Sequence, residues 1–280
     1  MGNARARWLA PSALAGFPAC LGITAVWLGA IVVVPLAALV IRPWQFGIGP
    51  VLHALWQPRV AAALELSFGA AVAAAAAAVP LGLLIAWVLV RLPFPGRRIV
   101  DGLVDLPFAL PTAVAGIALT ALYAPNGWLG GPLAGLGVKV AYTRLGIVIA
   151  LVFVGLPYMV RTLQPVLREL PPEVEEAATT LGATGGQIIR LVTLPALLPA
   201  ILTGAGLAFA RAVGEYGSVI FIAGNLPRRT EIAPLLIVIK LEQFDYVGAT
   251  AIALAMLVIS FTMLGAVNLL QRRIHGRSRR

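Results

Sequence analysis

Arg211 and Glu215 stand four residues apart in a long apolar run. That spacing places both on one face of a helix. Charges drawn into a bilayer pair with one another or face water. The chemistry open to such a pair is ion pairing or the handling of a charged solute, not bond making. Arg211 lies 17 residues beyond Leu194, about 25 Å along a helix. In a hydrocarbon core about 30 Å thick, this puts the pair near one edge. Three roles fit: a structural ion pair, an outer gate in which Arg211 attracts an anion and Glu215 restrains it, or simple reach toward the interface. Asp101 and Asp105 are also four apart, beside Arg97 and Arg98, and read as a salt-bridged membrane edge.

The sequence carries no catalytic constellation. An intramembrane enzyme would need a buried Ser with His, or paired Asp, and His53 and His275 fall in loop or tail positions. Cys20 is the single cysteine, so neither an internal disulfide nor a cysteine metal cluster is expected. The two lysines, Lys139 and Lys240, follow Val138 and Ile239, whereas a phosphate-binding loop needs Gly-Lys and then Ser or Thr. The expectation is a chain that is not an enzyme, with no metal site and no cofactor of its own.

The elements that hold these residues must be membrane helices. The 280 residues are 60% hydrophobic and 11% charged, against about 25% charged in soluble domains. The net charge of +10 does not point to nucleic acid, because the basic residues sit in short loops and at the C-terminus, as membrane topology requires. A spanning helix needs about 20 apolar residues. Six spans are expected, near 20–41, 64–90, 104–124, 145–167, 194–217 and 247–271, all within one domain from 20 to 271. Residues 1–19 and the basic tail 272–280 then lie in the cytoplasm. With the N-terminus inside, thirteen basic residues face inward and seven outward, which favours N-in, C-in. The uncharged run from Trp8 to Ile41 exceeds a signal peptide's core of about 7–15 residues, so it reads as a retained first span. The alanine-rich run 70–78 predicts close helix packing. Pro80, Pro107, Pro111, Pro157, Pro165, Pro195 and Pro199 lie in or beside spans, where kinks are tolerated if neighbours satisfy the freed carbonyls.

Between spans four and five lies the stretch EEAATTLGATGGQIIRLVTLP, from Glu175 to Pro195. Pro171-Pro172 suits the start of a new helix, with Glu173, Glu175 and Glu176 early in it, where carboxylates meet the positive end of the dipole. Gly182 ends this helix. Thr184 and Gln187 fit a capping box that opens a second. Pro195 is expected to mark the start of span five. Two such short helices cannot hold their shape alone, so they must dock on something.

Here the residues carry a resemblance. Glu176-Ala177-Ala178, then Gly182, Val192, Leu194 and Pro195 are spaced as in the EAA loop of ABC importer permeases, with Val192 where that family usually has isoleucine. The stretches DLPFALPTAVAGIALTALYAPNGW, FVGLPYMVRTLQPVL, FARAVGEYGSVIFIAGN and LEQFDYVGATAIA resemble the T-type permease subunits of sulfate/thiosulfate importers. The resemblance implies an all-α integral membrane protein: a six-helix type I ABC importer permease bundle with cytoplasmic coupling helices, in a bacterial inner membrane. It implies that Glu176, Ala177, Ala178, Gly182, Leu194 and Pro195 couple the chain to a dimer of separate ATP-binding cassette ATPases. It further implies a second, W-type permease subunit and a periplasmic or extracellular sulfate/thiosulfate-binding protein. Membrane lipids surround the chain, ATP is bound by the partner, and no nucleic acid is involved.

By polarity, Thr112, Thr120, Tyr123, Ser218 and Asn225 are candidates for the solute path, beside Arg211, Glu215 and Tyr216. Ser and Thr could equally satisfy backbone carbonyls. The segment 219–246, rich in Gly and Pro breakers, is expected as an outer scoop or short helix. Arg228, Arg229, Glu231, Lys240, Glu242 and Asp245 would there be exposed toward the binding protein. Two other readings are a molybdate/tungstate permease, whose relatives share a segment like Gly214-Glu215-Tyr216-Gly217, and an ion-coupled secondary anion transporter. The last would need a carboxylate near the midplane, and Glu215 is placed too far out.

Overall fold

The computed structural model describes residues 17–278. Most of the expected cytoplasmic segment 1–19, up to residue 16, and the last two residues of the basic tail lie outside that range. The helices are α1 (Phe17–Leu28), α2 (Val34–Phe46), α3 (Ile48–Leu55), α4 (Pro58–Arg91), α5 (Arg97–Val104), α6 (Leu106–Ala109), α7 (Thr112–Tyr123) and α8 (Gly130–Gly135). They continue as α9 (Arg144–Glu169), α10 (Pro172–Thr180), α11 (Gly185–Ile188), α12 (Leu194–Val213), α13 (Val219–Ile222), α14 (Ala233–Glu242) and α15 (Tyr246–Ser278). Wider π turns, Gly29–Val33 and Ile189–Thr193, join α1 to α2 and α11 to α12 without interrupting the helices.

Among the described residues, five helical segments are long and apolar enough to cross a membrane: Ala19–Pro43, Pro58–Arg91, Arg144–Glu169, Gly185–Val213 and Tyr246–Val267. The third expected span is broken. A turn at Asp105 separates α5 from α6, and Leu110 (ψ 134°) is extended; Leu110 immediately precedes Pro111, whose ring disfavours the helical region for the residue before it. What remains is α7, with 12 residues, about 18 Å long against a core of about 30 Å.

Span five differs in the opposite sense. The Thr184–Gln187 capping box opens a helix that runs unbroken to Val213. The expected boundary at Pro195 is therefore absent. The π turn ends just before it, with the Leu194 N–H reaching back to the Ile189 carbonyl. That wider turn accommodates the Pro195 ring, which brings no N–H of its own.

The core is the mutual packing of α4, α9 and α12. Ala71, Ala74 and Ala78 are fully or almost fully buried on one face of α4, as small residues at helix interfaces should be. Met159 of α9 is fully buried between two glycines. A Cβ on Gly82 of α4 would come within 2.5 Å of its Cγ, and one on Gly204 of α12 within 2.7 Å of its Sδ. α15 lies against α2, α3, α12 and α14, and α13 joins α7 to α9.

Charge pairs tie the ends. Arg161 of α9 donates from Nε and Nη2 to the Asp105 carboxylate at 2.7 and 2.5 Å, and from Nη1 to Asp101 Oδ1 at 2.7 Å. Gln164 Nε2 adds a bond of 2.9 Å to the same Asp101 oxygen. The expected partners Arg97 and Arg98 are not the ones used: the planar fork of Arg161 on α9 bonds both carboxylates, and Arg168 of the same helix adds its charge near Asp101. The Gln164 amide and the Arg161 guanidinium hold the Asp101 carboxyl below its ordinary value. That contribution is complete above about pH 4 and is lost as pH falls through the lowered value. At the far end of α4, Arg59 grips Glu231 through two bonds of 2.8 and 2.7 Å. Buried Ser67 accepts the Ala233 N–H at 2.8 Å, satisfying an orphan donor at the start of α14.

Gly204→Val should overpack the Met159 junction and cost about 1–3 kcal/mol, read as a lower unfolding temperature of the purified protein in detergent. Arg161→Ala leaves two partly exposed carboxylates without their cation and should cost about 1–3 kcal/mol. The check is the same melt, with limited proteolysis between Leu92 and Leu110 reporting release of α5 and α6.

Candidate functional site

The element from Pro172 to Thr193 is a helical hairpin built by local rules. α10 carries Glu173 and Glu175 in its first turn. It closes with the N–H of Gly182 on the Thr179 carbonyl at 2.9 Å and the N–H of Ala183 on the Ala178 carbonyl at 3.0 Å. This is a Schellman ending, which requires the left-handed conformation at Gly182, φ +83°. The capping box at Thr184 then starts α11, with the Thr184 N–H on Gln187 Oε1 at 2.8 Å.

One side of the hairpin is anchored. Glu175 Oε1 accepts from Arg91 Nη2 at 3.2 Å and from Thr193 Oγ1 at 3.3 Å. Arg91 also reaches the Leu170 carbonyl and lies 5.9 Å from the Trp87 ring centroid. Glu175 therefore joins α10 to the end of α4 and to the root of α12. The other side is free. Glu176 and Ala177 are exposed, Ala178 is half-buried, and Leu194 and Pro195 are exposed. Around them stand Leu181 at 88% exposure, Leu191 at 68%, Ile189 at 49% and Val174 at 44%. An apolar surface of this kind on a polar-led element marks a contact site.

The second candidate group lies at the opposite end of the bundle. α12 stops at Val213, so Glu215 sits in the following turn and not on the helix itself. Arg211 Nη1 meets Glu215 Oε2 at 2.6 Å. Glu215 is 3% exposed, and its other oxygen accepts both the N–H and the hydroxyl of Ser218 at 2.8 Å. The carboxylate is thus buried and well bonded, the condition under which a buried charge is tolerated. Ser218 is fully buried, and α7 approaches so closely that a Cβ on Gly116 would stand 2.8 Å from Ser218 Cα. Tyr216 is half-buried against the main apolar cluster. Arg211, Glu215 and Ser218 form one unit whose geometry is that of a structural lock.

Of the other path candidates, Thr112 packs against Gly217, in the same turn as Glu215, where a Cβ on the glycine would collide with the Thr112 hydroxyl. Thr120 donates to the Gly116 carbonyl at 2.7 Å. Asn225 sits apart from the lock at φ +53°, with Nδ2 on the Ile220 carbonyl at 2.8 Å and Oδ1 buried without a partner. In the segment 219–246 the expectation of exposed charges fails for Glu231, which is 2% exposed and held by Arg59. Lys240 and Asp245 bind each other at 2.8 Å. The Arg91–Glu175, Arg161–Asp101/Asp105 and Arg59–Glu231 pairs escaped sequence reasoning. Their partners are 56 to 172 residues apart, beyond any local spacing rule.

Residues 78–276 match the family described as "Binding-protein-dependent transport system inner membrane component". A similar curated protein is the "Sulfate transport system permease protein CysT" of Salmonella typhimurium, 47% identical over 264 residues, which cover 94% of this chain and 95% of that one. The protein of the same description from Synechocystis is 48% identical over 254 residues, covering 89% and 87%. Among solved structures, a bacterial ABC transporter involved in the import of the acidic polysaccharide alginate superposes with a TM-score of 0.77 at 18% identity, covering 92% of this chain and 95% of that one. The MetNI methionine ABC transporter, in an inward-facing form, gives 0.53 at 16% identity, covering 81% and 97%. These two establish likeness of fold. With its family match and its near full-length relatives, the chain belongs to the binding-protein-dependent transport system inner membrane components, the permease subunits of ABC importers.

Proposed function

We propose that this chain is the permease subunit of an ATP-driven sulfate/thiosulfate importer. The observation that carries the reading is the 47% identity, over 94% of the chain, to a permease described as part of a sulfate transport system. Nothing comparable favours molybdate, tungstate or an ion-coupled carrier. On this reading the chain sits N-in and C-in in a bacterial inner membrane. It forms half of the pathway beside a W-type permease, receives its anion from a binding protein outside, and leaves ATP to a separate ATPase dimer.

The hairpin 172–193 is the coupling element. Its exposed face, with Glu176, Ala177, Leu181, Ile189 and Leu191, docks on the ATPase. Its buried face passes the movement on, through Glu175 to Arg91 of α4 and through the unbroken α11–α12 helix into the bundle. That continuity supports a lever, because a rigid helix moves as one body and a loop would absorb the displacement.

Labelled sulfate uptake in a strain deleted for this chain tests the substrate. Complementation should restore uptake, with competition by thiosulfate and little by molybdate. The reverse order of competition contradicts the sulfate reading. Gly182→Val forces a β-branched residue into left-handed backbone, at about 1–3 kcal/mol, and should reduce uptake more than tenfold with membrane insertion unchanged. Normal uptake by that variant rules out the lever. Glu175→Gln removes one ion pair, and should lower transport several-fold while the ATPase remains bound.

A further inference from the structure

Arg211 is committed to Glu215, which leaves open where an incoming anion first meets positive charge. A cavity of about 370 Å³ lies at the end of the bundle opposite the hairpin, between α4 and the start of α9. Its floor is the face of α4 from Ala62 through Glu65, Leu66 and Gly69 to Ala73, and Arg144 and Arg228 line it from the other side. Ala62 and Ala73 are separated by about 16 Å of helix, so the groove runs from the membrane edge to about half the core depth. At about 30 Å³ per water, the space holds an oxyanion with several waters of its shell.

Both arginines are placed against their local preferences. Arg144 is the first residue of α9, where the helix dipole disfavours a cation. Arg228 has φ +61°, in the left-handed region that non-glycine residues seldom adopt. Neither has a carboxylate partner among the described residues. Arg144 is oriented by its Nε, which donates to the Arg229 carbonyl at 3.0 Å. Its two Nη groups remain available, and a guanidinium fork suits oxyanion oxygens. Glu65 opposes a dianion in the same groove and makes no ion pair among the described residues.

We propose that this groove is the permease's receiving site for the transported oxyanion, with Arg144 and Arg228 as its attracting side and Glu65 keeping the dwell short. This rests on the reading of the chain as an anion permease. The divided charge fits a transit site, where binding must be weak enough to release forward.

The test uses the assembled transporter with Cys20→Ser and Gly69→Cys, a position where an added Cβ meets nothing within 4 Å. Labelling of that single thiol is followed with an anionic sulfonatoethyl and a cationic trimethylammonioethyl methanethiosulfonate. The anionic reagent should react faster, and sulfate should slow it. Arg144→Gln with Arg228→Gln should lower the anionic-to-cationic rate ratio about tenfold. The corresponding Lys variants should retain most of the ratio, and Glu65→Gln should raise it. An unchanged ratio in the Gln double variant overturns the proposal. So does failure of both reagents to label, which would mean that the groove is filled by the second permease subunit. If the transporter carries another oxyanion, sulfate uptake and sulfate protection fail, yet the charge selectivity of labelling persists. That outcome separates this proposal from the substrate assignment.

Discussion

The close approach of α4, α9 and α12 around Met159 is the contact on which the rest of the structure depends. Lipid gives apolar helices no hydrophobic reason to associate, so they hold together by backbone proximity and dispersion. Gly82 and Gly204 clear the space, and the buried Met159 side chain fills it. The alanine face of α4 extends the same seam along the bundle. Once these three helices are fixed, both ends of the molecule are positioned. Arg91 and Thr193 come together to hold Glu175 at one end, and Arg144 and Arg228 come to line one cavity at the other.

Charge does a different task. Three of the ion pairs clamp a short or irregular element to a long helix. Arg161 holds α5 and α6, Arg59 holds the loop before α14 through Glu231, and Glu215 holds the turn after α12. These elements are too short to stay in place by burial alone. A bidentate guanidinium–carboxylate pair supplies direction that apolar contact lacks. The hairpin follows the same pattern on one face only, through Glu175. Its other face remains free for a partner.

Much of this was legible in the sequence where the signal is local. The Gly182 turn, the Thr184–Gln187 capping box and the apolar spans follow from neighbours a few residues apart. The break at Leu110–Pro111 was legible in principle from proline's effect on its predecessor, but hydropathy alone ran one span through it. The unbroken passage through Pro195 was not legible, because the π turn that admits it depends on the whole helix being held by the bundle. Of the site residues, the hairpin was found as a unit. Its anchor, Glu175, was passed over because Arg91 lies 84 residues away. Arg211 and Glu215 were paired correctly, although the helix ends between them.

On the proposed function, the hairpin is the point where ATP-driven movement enters an otherwise passive bundle. The most direct measurement is sulfate uptake by the reconstituted transporter, supplied with binding protein and ATP, with vanadate and a protonophore applied separately. The account predicts that uptake requires ATP, stops with vanadate and is indifferent to the protonophore. Uptake that ignores vanadate and collapses with the proton gradient would contradict it.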